Sequence, residues 1–278
     1  MNIMKNLSIE ELRKIQIEIL NFFDSFCRDN NLRYFLSNGT LLGAVKYKGF
    51  IPWDDDIDVC MPRADYEHFL NLFAMKSKQG DYYKLYSLNN EKQYYFPFAK
   101  LVDDRTILIE QNVDNGVILG VNIDIFPLDA FGNTQEEVTK LYNKMQKLRH
   151  DLNFSKLINY TGGKIKRLAK RIVAFRYKIV AGNGAAHYSK KINRLAQKKN
   201  NEDCLLEGNV VWGFYPNGEA HEKSVFKEAI EVYFEGRKYF APIGYDVFLR
   251  RLYGDYWQDP PKEKQVTHHS YIAYFKNT

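Results

Sequence analysis

A chain of 278 residues suffices for one large domain or two small ones, and 45% hydrophobic with 27% charged residues is the balance of a soluble globular protein, which excludes disordered and fibrous classes. Three scattered cysteines, Cys27, Cys60 and Cys204, give neither a disulfide framework nor a metal-site spacing and point to a reducing compartment. The net charge of +6 is uneven: residues 152–201 carry 13 Lys or Arg and no Asp or Glu, so a basic middle lies inside an otherwise acidic protein.

In chain order, Ser8 with Glu11 has the pattern of a capping box. Ile9, Leu12, Ile15, Ile19, Phe22, Phe23 and Phe26 then recur at helical spacing, which predicts a first helix ending near Asn30. RYFLS (33–37) reads as a buried strand, followed by a Gly39-Thr40 turn into a short helix, LLGAVKY, stopped by Gly49. IDVCM (57–61) reads as a second strand and ADYEHFLNLFAMK (64–76) as a helix. The next part is β-rich: YKLYSL (83–88), FPFAKLVDD (96–104), TILIEQ (106–111) and GVNIDIFPLDAF (120–131). Thr134 with Glu137 caps a long helix reaching about Ile158. Residues 163–182 place Ile165, Leu168, Ile172, Phe175 and Ile179 on one helical face, with Lys and Arg over much of the rest. VVWGFY (210–215) reads as a strand, IEVYFEGRKYFAP as a hairpin turning at Glu235-Gly236, and YDVFLRRLYG (245–254) as a helix ending at Gly254. This order of elements gives an α+β protein with a mixed sheet. No apolar run approaches the roughly 18 residues of a membrane span, and the first residues lack the apolar centre of a signal peptide. The expected location is the cytoplasm.

The chemistry concentrates in SNGTLLGAVKYKGFIPWDDDIDVCMPR (37–63), where Asp54, Asp55, Asp56 and Asp58 stand directly before Val59, Cys60 and Met61. Alternation along a strand puts Asp56 and Asp58 on one face and Ile57 and Val59 on the other. Two like charges that close repel and raise each other's pKa unless something neutralises them. A divalent cation does so economically, because hard cations prefer carboxylate oxygens. Downstream, Asp124 alternates with Val121, Ile123 and Ile125; a lone carboxylate on an apolar strand requires a partner. If the two strands lie side by side, three carboxylates converge on one or two metal ions, the arrangement that transfers a phosphoryl group. The Gly39-Thr40 turn offers backbone N–H groups to a phosphate, and Lys46 and Lys48 follow it. A calcium loop starting at Asp54 is disfavoured, since it needs Gly at 59 and Glu at 65, where the chain has Val59 and Asp65.

These residues resemble a known family. Gly39-Thr40-Leu41-Leu42-Gly43-Ala44-Val45, then Lys48 through Asp58, is similar to the signature of the LicD family, bacterial phosphocholine transferases related to the fukutin-type ribitol-phosphate transferases. FAKLVD (98–103) and YFAPIGYDVFLRRLYGDYWQDPP (239–261) look like later blocks of the same family. The resemblance implies a nucleotidyltransferase-like catalytic core over 1–133, a helical basic segment over 134–205 and a C-terminal β/α part over 206–278 completing the cleft. It implies Mg²⁺ or Mn²⁺ held by Asp54, Asp56, Asp58 and Asp124, with Asp56, Asp58 and Asp124 catalytic. The donor would be CDP-choline or a related CDP-alcohol, bound with the help of Gly39, Thr40, Lys46, Arg63 and Lys100. The acceptor would be a sugar hydroxyl of a surface-glycan precursor of the teichoic acid, lipopolysaccharide or capsule type, free or lipid-linked, and CMP would leave. Transfer of glycerol or ribitol phosphate, true nucleotidyl transfer and a non-catalytic glycan-binding role are the alternatives.

Lys100 has two readings from its sequence context, a phosphate ligand or the partner of a core carboxylate. A choline headgroup needs aromatic faces, for which Tyr94, Tyr95, Trp212, Tyr215, Tyr256 and Trp257 are candidates. The basic segment reads either as a solvated helical face or as a surface resting on an anionic membrane at the inner face of the cell. Nucleic acid is not expected, because no recognised binding module accompanies the charge. His268 and His269 lack a third ligand nearby and do not suggest zinc.

Overall fold

The computed structural model describes residues 6–77, 80–111, 114, 116–156, 168–173, 175, 184–213, 215, 218–267 and 271–276. It has an α+β architecture around a mixed, twisted sheet. Helix α1 (Ile9–Asp29) starts on a complete capping box: Glu11 N–H donates to Ser8 Oγ at 3.2 Å, and Ser8 N–H donates to Glu11 Oε2 at 2.8 Å. Strand β1 (Phe35–Leu36) leads into helix α2 (Asn38–Lys46), and strand β2 (Asp58–Pro62) runs directly into helix α3 (Arg63–Lys76). Strands β3 (Tyr83–Tyr86), β4 (Ala99–Asp103), β5 (Thr106–Glu110) and β6 (Asn122–Gly132) follow, then helices α4 (Gln135–Lys156) and α5 (Ala185–Ala196). The chain continues through β7 (Leu206–Gly208), β8 (His221–Glu222), the hairpin β9 (Ala229–Phe234) and β10 (Arg237–Pro242), α6 (Tyr245–Tyr253) and β11 (Tyr271–Phe275).

The sheet order is β1-β2-β6-β4-β3. β2 and β6 are parallel, with Asp58 opposite Asp124, while β6 and β4 are antiparallel, with Asp124 opposite Lys100. The far half of the long strand β6 carries β7 and then β8, and β11 pairs with β5 in a separate ribbon. Helices α1 and α3 pack on one face of the sheet. Their phenylalanines interlock, with Phe23 and Phe69 edge to face at 5.2 Å and both fully buried. Truncating either ring to Ala would cost about 3–5 kcal/mol. One hydrophobic cluster runs from Leu12 through Tyr188, Val210 and Tyr256 to Ala273, so residues of all three expected segments share it.

Most elements lie within a residue or two of their expected places, but three differ. Gly39 and Thr40 sit inside the first turn of α2, not in a turn before it. β2 begins at Asp58, which leaves Asp56 in the irregular segment before the strand. The described part of VVWGFY is a turn, in which Trp212 N–H donates to Asn209 Oδ1 at 3.0 Å; Val210 and Val211 are buried without being extended. Ile158, Ile165 and Ile179 of the expected helical segments lie outside the described residues. Leu168, Ile172 and Phe175 are exposed.

Candidate active site

The site forms where the N-terminus of α2 and the first residues of β2 and β6 meet. The parallel register places Asp58 and Asp124 side by side on adjacent strands. Ile57 and Val59, flanking Asp58, are fully buried, so the alternation turns its carboxylate away from the core. Asn38 takes a positive φ of 45° at the start of α2, and its amide donates to Asp58 Oδ2 at 2.9 Å. Asp58 N–H donates to Thr40 Oγ1 at 2.8 Å, so the threonine hydroxyl ties helix to strand. The N–H groups of the first turn of α2 have no partners within the helix and give this end a positive character beside the carboxylates.

Ahead of the strand, Asp54, Asp55 and Asp56 bring carboxylate oxygens within 4.8 Å of one another. Asp54 is hydrogen-bonded to Asp56, so Asp56 joins the group through Asp54 and not as the strand-face neighbour of Asp58. Burial, the Asp56 charge and that hydrogen bond push Asp54 up to about 8. Burial and the adjacent Asp124 push Asp58 up to about 7, with Asn38 opposing and Asp54 adding to the rise. Glycine at 39 has a steric reason, because a Cβ there would fall well inside contact distance of Asp54 Oδ2.

The acidic segment is held from behind by residues that motif reading did not single out. Arg13 of α1 donates to the carbonyl oxygens of Asp54, at 2.6 and 3.1 Å, of Ile51 at 3.1 Å and of Pro52 at 3.0 Å. Gln16 donates to Asp55 O at 2.9 Å and Tyr271 Oη to the same oxygen at 3.0 Å, while Thr267 Oγ1 donates to Asp55 Oδ2 at 2.6 Å. Both ends of the chain thus fix the carboxylate loop. Tyr253, at the end of α6, is a further neighbour: its side chain is partly exposed, and local desolvation of the hydroxyl with the charges of Asp58, Glu219 and Asp54 raises its pKa above the usual tyrosine value. Sequence spacing carries no signal for such long-range partners.

The expected phosphate ligands divide. Lys100, opposite Asp124 in β4, forms an ion pair with its carboxylate and donates to Asn122 Oδ1 at 3.1 Å; its ammonium lies over Phe96 and Phe98, 4.6 and 5.5 Å from their ring centroids. Lys46, at the far end of α2, pairs with Asp259 at 2.5 Å and donates to Tyr256 O at 3.1 Å, so it anchors the C-terminal segment. Arg63 grips Asp129 through two hydrogen bonds of 2.7 and 2.5 Å and reaches Glu67 and Asn193, both at 3.1 Å, which joins α3, β6 and α5. Neither Lys46 nor Arg63 is drawn to the carboxylates here. Among the aromatic candidates, Tyr94, Tyr95 and Tyr256 are buried, Tyr215 and Trp257 are exposed, and Trp212 packs its edge on Phe96 and Phe98. His268 and His269 lie outside the described residues.

A carboxylate cluster beside a parallel strand pair and a helix N-terminus is the arrangement expected of a nucleotidyltransferase-type enzyme, and the comparisons with known proteins give the chain's family. Residues 31–161 match the family model described as "LicD/FKTN/FKRP, nucleotidyltransferase domain". The chain is 30% identical over 279 residues to the lipopolysaccharide cholinephosphotransferase LicD of Haemophilus influenzae, covering 98% of this chain and 99% of that one. Two uncharacterized proteins, of Rickettsia typhi and Rickettsia prowazekii, are 34% and 33% identical over 99 and 90 residues, spanning 28% and 29% of their own lengths. The chain belongs to the LicD family. It is an enzyme, a phosphotransferase of the LicD type.

Proposed function

We propose that the enzyme transfers phosphocholine from CDP-choline to a sugar hydroxyl of a surface-glycan precursor, with lipopolysaccharide as the leading acceptor class. The observation that carries this is the in-register Asp58–Asp124 pair beside Asp54 and Asp56, in a chain alike from end to end with a lipopolysaccharide cholinephosphotransferase. The residues fit a divalent cation. Asp54, Asp55 and Asp56 bring carboxylate oxygens within 4.8 Å of one another, and Asp58, opposite Asp124 on the neighbouring strand, is raised by a carboxylate charge that a cation would offset. Asp54, Asp56, Asp58 and Asp124 would hold Mg²⁺ or Mn²⁺, which when bound neutralises donor phosphate charge and polarises the phosphorus under attack.

The chain's own residues supply the rest. The first turn of α2, open at Gly39, faces the donor phosphates, and Lys100 stands ready to exchange Asp124 for a phosphate oxygen. Asp124, freed of Lys100, takes the proton of the acceptor hydroxyl. The sugar oxygen bonds to the distal phosphorus while the bond from that phosphorus to the bridging oxygen breaks, and CMP leaves with the electron pair. Phe96 and Trp212, both partly exposed, offer aromatic faces near Lys100 for a quaternary ammonium group. The exposed Leu168, Ile172 and Phe175, set in the basic segment, support contact with an anionic membrane carrying a lipid-linked acceptor. Among the described residues no helix is long and apolar enough to cross a membrane.

A thermal-melt panel tests the donor. Ligand at about 100 times its Kd adds about 2.7 kcal/mol, or several degrees in a chain of this size. A Mg²⁺-dependent shift with CDP-choline, absent with CDP-glycerol, CDP-ribitol and CTP, is the expected result. A shift with CTP alone would replace phosphocholine transfer by nucleotidyl transfer.

A further inference from the structure

A second polar cavity, of about 400 Å³, opens between the end of α4 and the start of α5. Lys92, Tyr95, Asp114, Lys156 and the first residues of α5, Gly184 to Ala186, line it. Lys156 is only 6% exposed. Its nearest carboxylate oxygen, Glu110 Oε2, is 3.9 Å away, beyond hydrogen-bonding distance. No hydrogen bond to its ammonium is made among the described residues. The group instead lies on aromatic faces, 4.4 Å from the Tyr95 ring centroid and 5.2 Å from that of Phe96. Burial and the charge of Lys100 lower its pKa, while Glu110 opposes the shift. Glu110 compensates the ammonium only through this long ion pair, so a closer anion would be favoured beside it.

The start of α5 supplies an independent reason. This helix has 12 residues, and its N-cap is Gly184, with a φ of 56° and no side chain of its own to cap the first turn. The N–H groups and the positive dipole end at a helix N-terminus favour a bound anion. Of the carboxylates nearby, Asp114 is engaged by the N–H of Gly116 at 3.0 Å, and Glu110 is largely exposed. Phe96 connects the cavity to the catalytic group, since the ammonium groups of Lys156 and Lys100 both approach its ring.

We propose that this cavity is a phosphate subsite, formed by Lys156 and the N-terminus of α5, that holds a phosphate borne by one of the two substrates. The binding of phosphate itself does not depend on the transfer reaction; only the assignment to a substrate rests on that reading. Because the proposed function seats the donor diphosphate at the first turn of α2, the phosphate here is assigned to a phosphorylated sugar acceptor, and binding of the donor in this cavity would overturn that assignment.

Calorimetric titration of the full-length protein with inorganic phosphate, in metal-free buffer, tests the subsite. Wild type is expected to bind saturably. Lys156→Met should lose about tenfold or more in affinity, the loss expected for a charge-assisted hydrogen bond. Lys156→Arg should retain binding, and Ala185→Asp, which brings a competing carboxylate to the helix start, should lose it. Circular dichroism and thermal melting verify that each variant is folded. Competition then identifies the source: displacement of phosphate by a phosphorylated hexose assigns the subsite to the acceptor, and displacement by CDP-choline assigns it to the donor. Absence of saturable binding by wild type, or a folded Lys156→Met that binds as wild type does, overturns the subsite. Failure of CDP-choline transfer with phosphate binding intact would remove the functional reading and leave the subsite standing.

Discussion

Asp58→Asn separates the electrostatics of the site from its fold. In the metal-free protein, burial and Asp124 raise Asp58 from 3.8 to about 7. Below about pH 4 the group is protonated in both the folded and unfolded chains, so it contributes no difference. As pH rises from there, the unfolded chain ionises first, and wild type loses stability until the pH passes the folded value near 7. Three units at 1.36 kcal/mol each set a ceiling of about 4 kcal/mol. Solvent screening in the cleft reduces this to about 1–3 kcal/mol, or roughly 2–10 °C in melting temperature. The amide has the shape of the carboxylate and leaves β2 unchanged. In EDTA at pH 8, Asp58→Asn should therefore melt above wild type, with the gap closing towards pH 4. With Mg²⁺, wild type should gain stability that the variant does not, and transfer should fall below detection. A variant that melts below wild type at pH 8, or a gap independent of pH, would refute the reasoning about charge crowding; a fully active variant would refute the metal site.

Three other outcomes follow from single contacts. Gly39→Ala should weaken Mn²⁺ binding about tenfold by displacing Asp54, while the helix itself gains up to about 1 kcal/mol; unchanged Mn²⁺ affinity by calorimetry would rule out the steric role of Gly39. Arg63→Met should cost about 3–5 kcal/mol in urea unfolding because it leaves Asp129 buried without its cation. Adding Asp129→Leu should recover much of that loss together with transfer activity, and an inactive, stably folded double variant would instead return Arg63 to donor binding. Replacing Lys166, Arg167, Lys170 and Arg171 with Gln should reduce sedimentation with anionic liposomes, and unchanged sedimentation would assign these residues to a solvated face.

The local features of this protein were legible in its sequence because they depend on neighbouring residues. The capping box at Ser8 and Glu11, the hairpin turning at Glu235 and Gly236 with φ of 49° and 78°, and the burial of Ile57 and Val59 each require only short-range geometry. The motif around Gly39 and Asp58 likewise sufficed to single out the carboxylates. Tertiary structure decided how those carboxylates are grouped. Asp58 meets Asp124 because β2 and β6, far apart in the chain, pair in parallel, and Asp56 turns to Asp54 because the strand starts at Asp58. It also decided the partners of the cations: Lys46, Arg63 and Lys100 are equivalent on charge alone, yet Asp259, Asp129 and Asp124 claim them by position. Among the described lysines of the basic segment, Lys156 is set apart by being buried beside a helix start. Composition records how many charges a chain carries, but the free energy of each depends on its distance to other charges and to water, and folding alone fixes those distances.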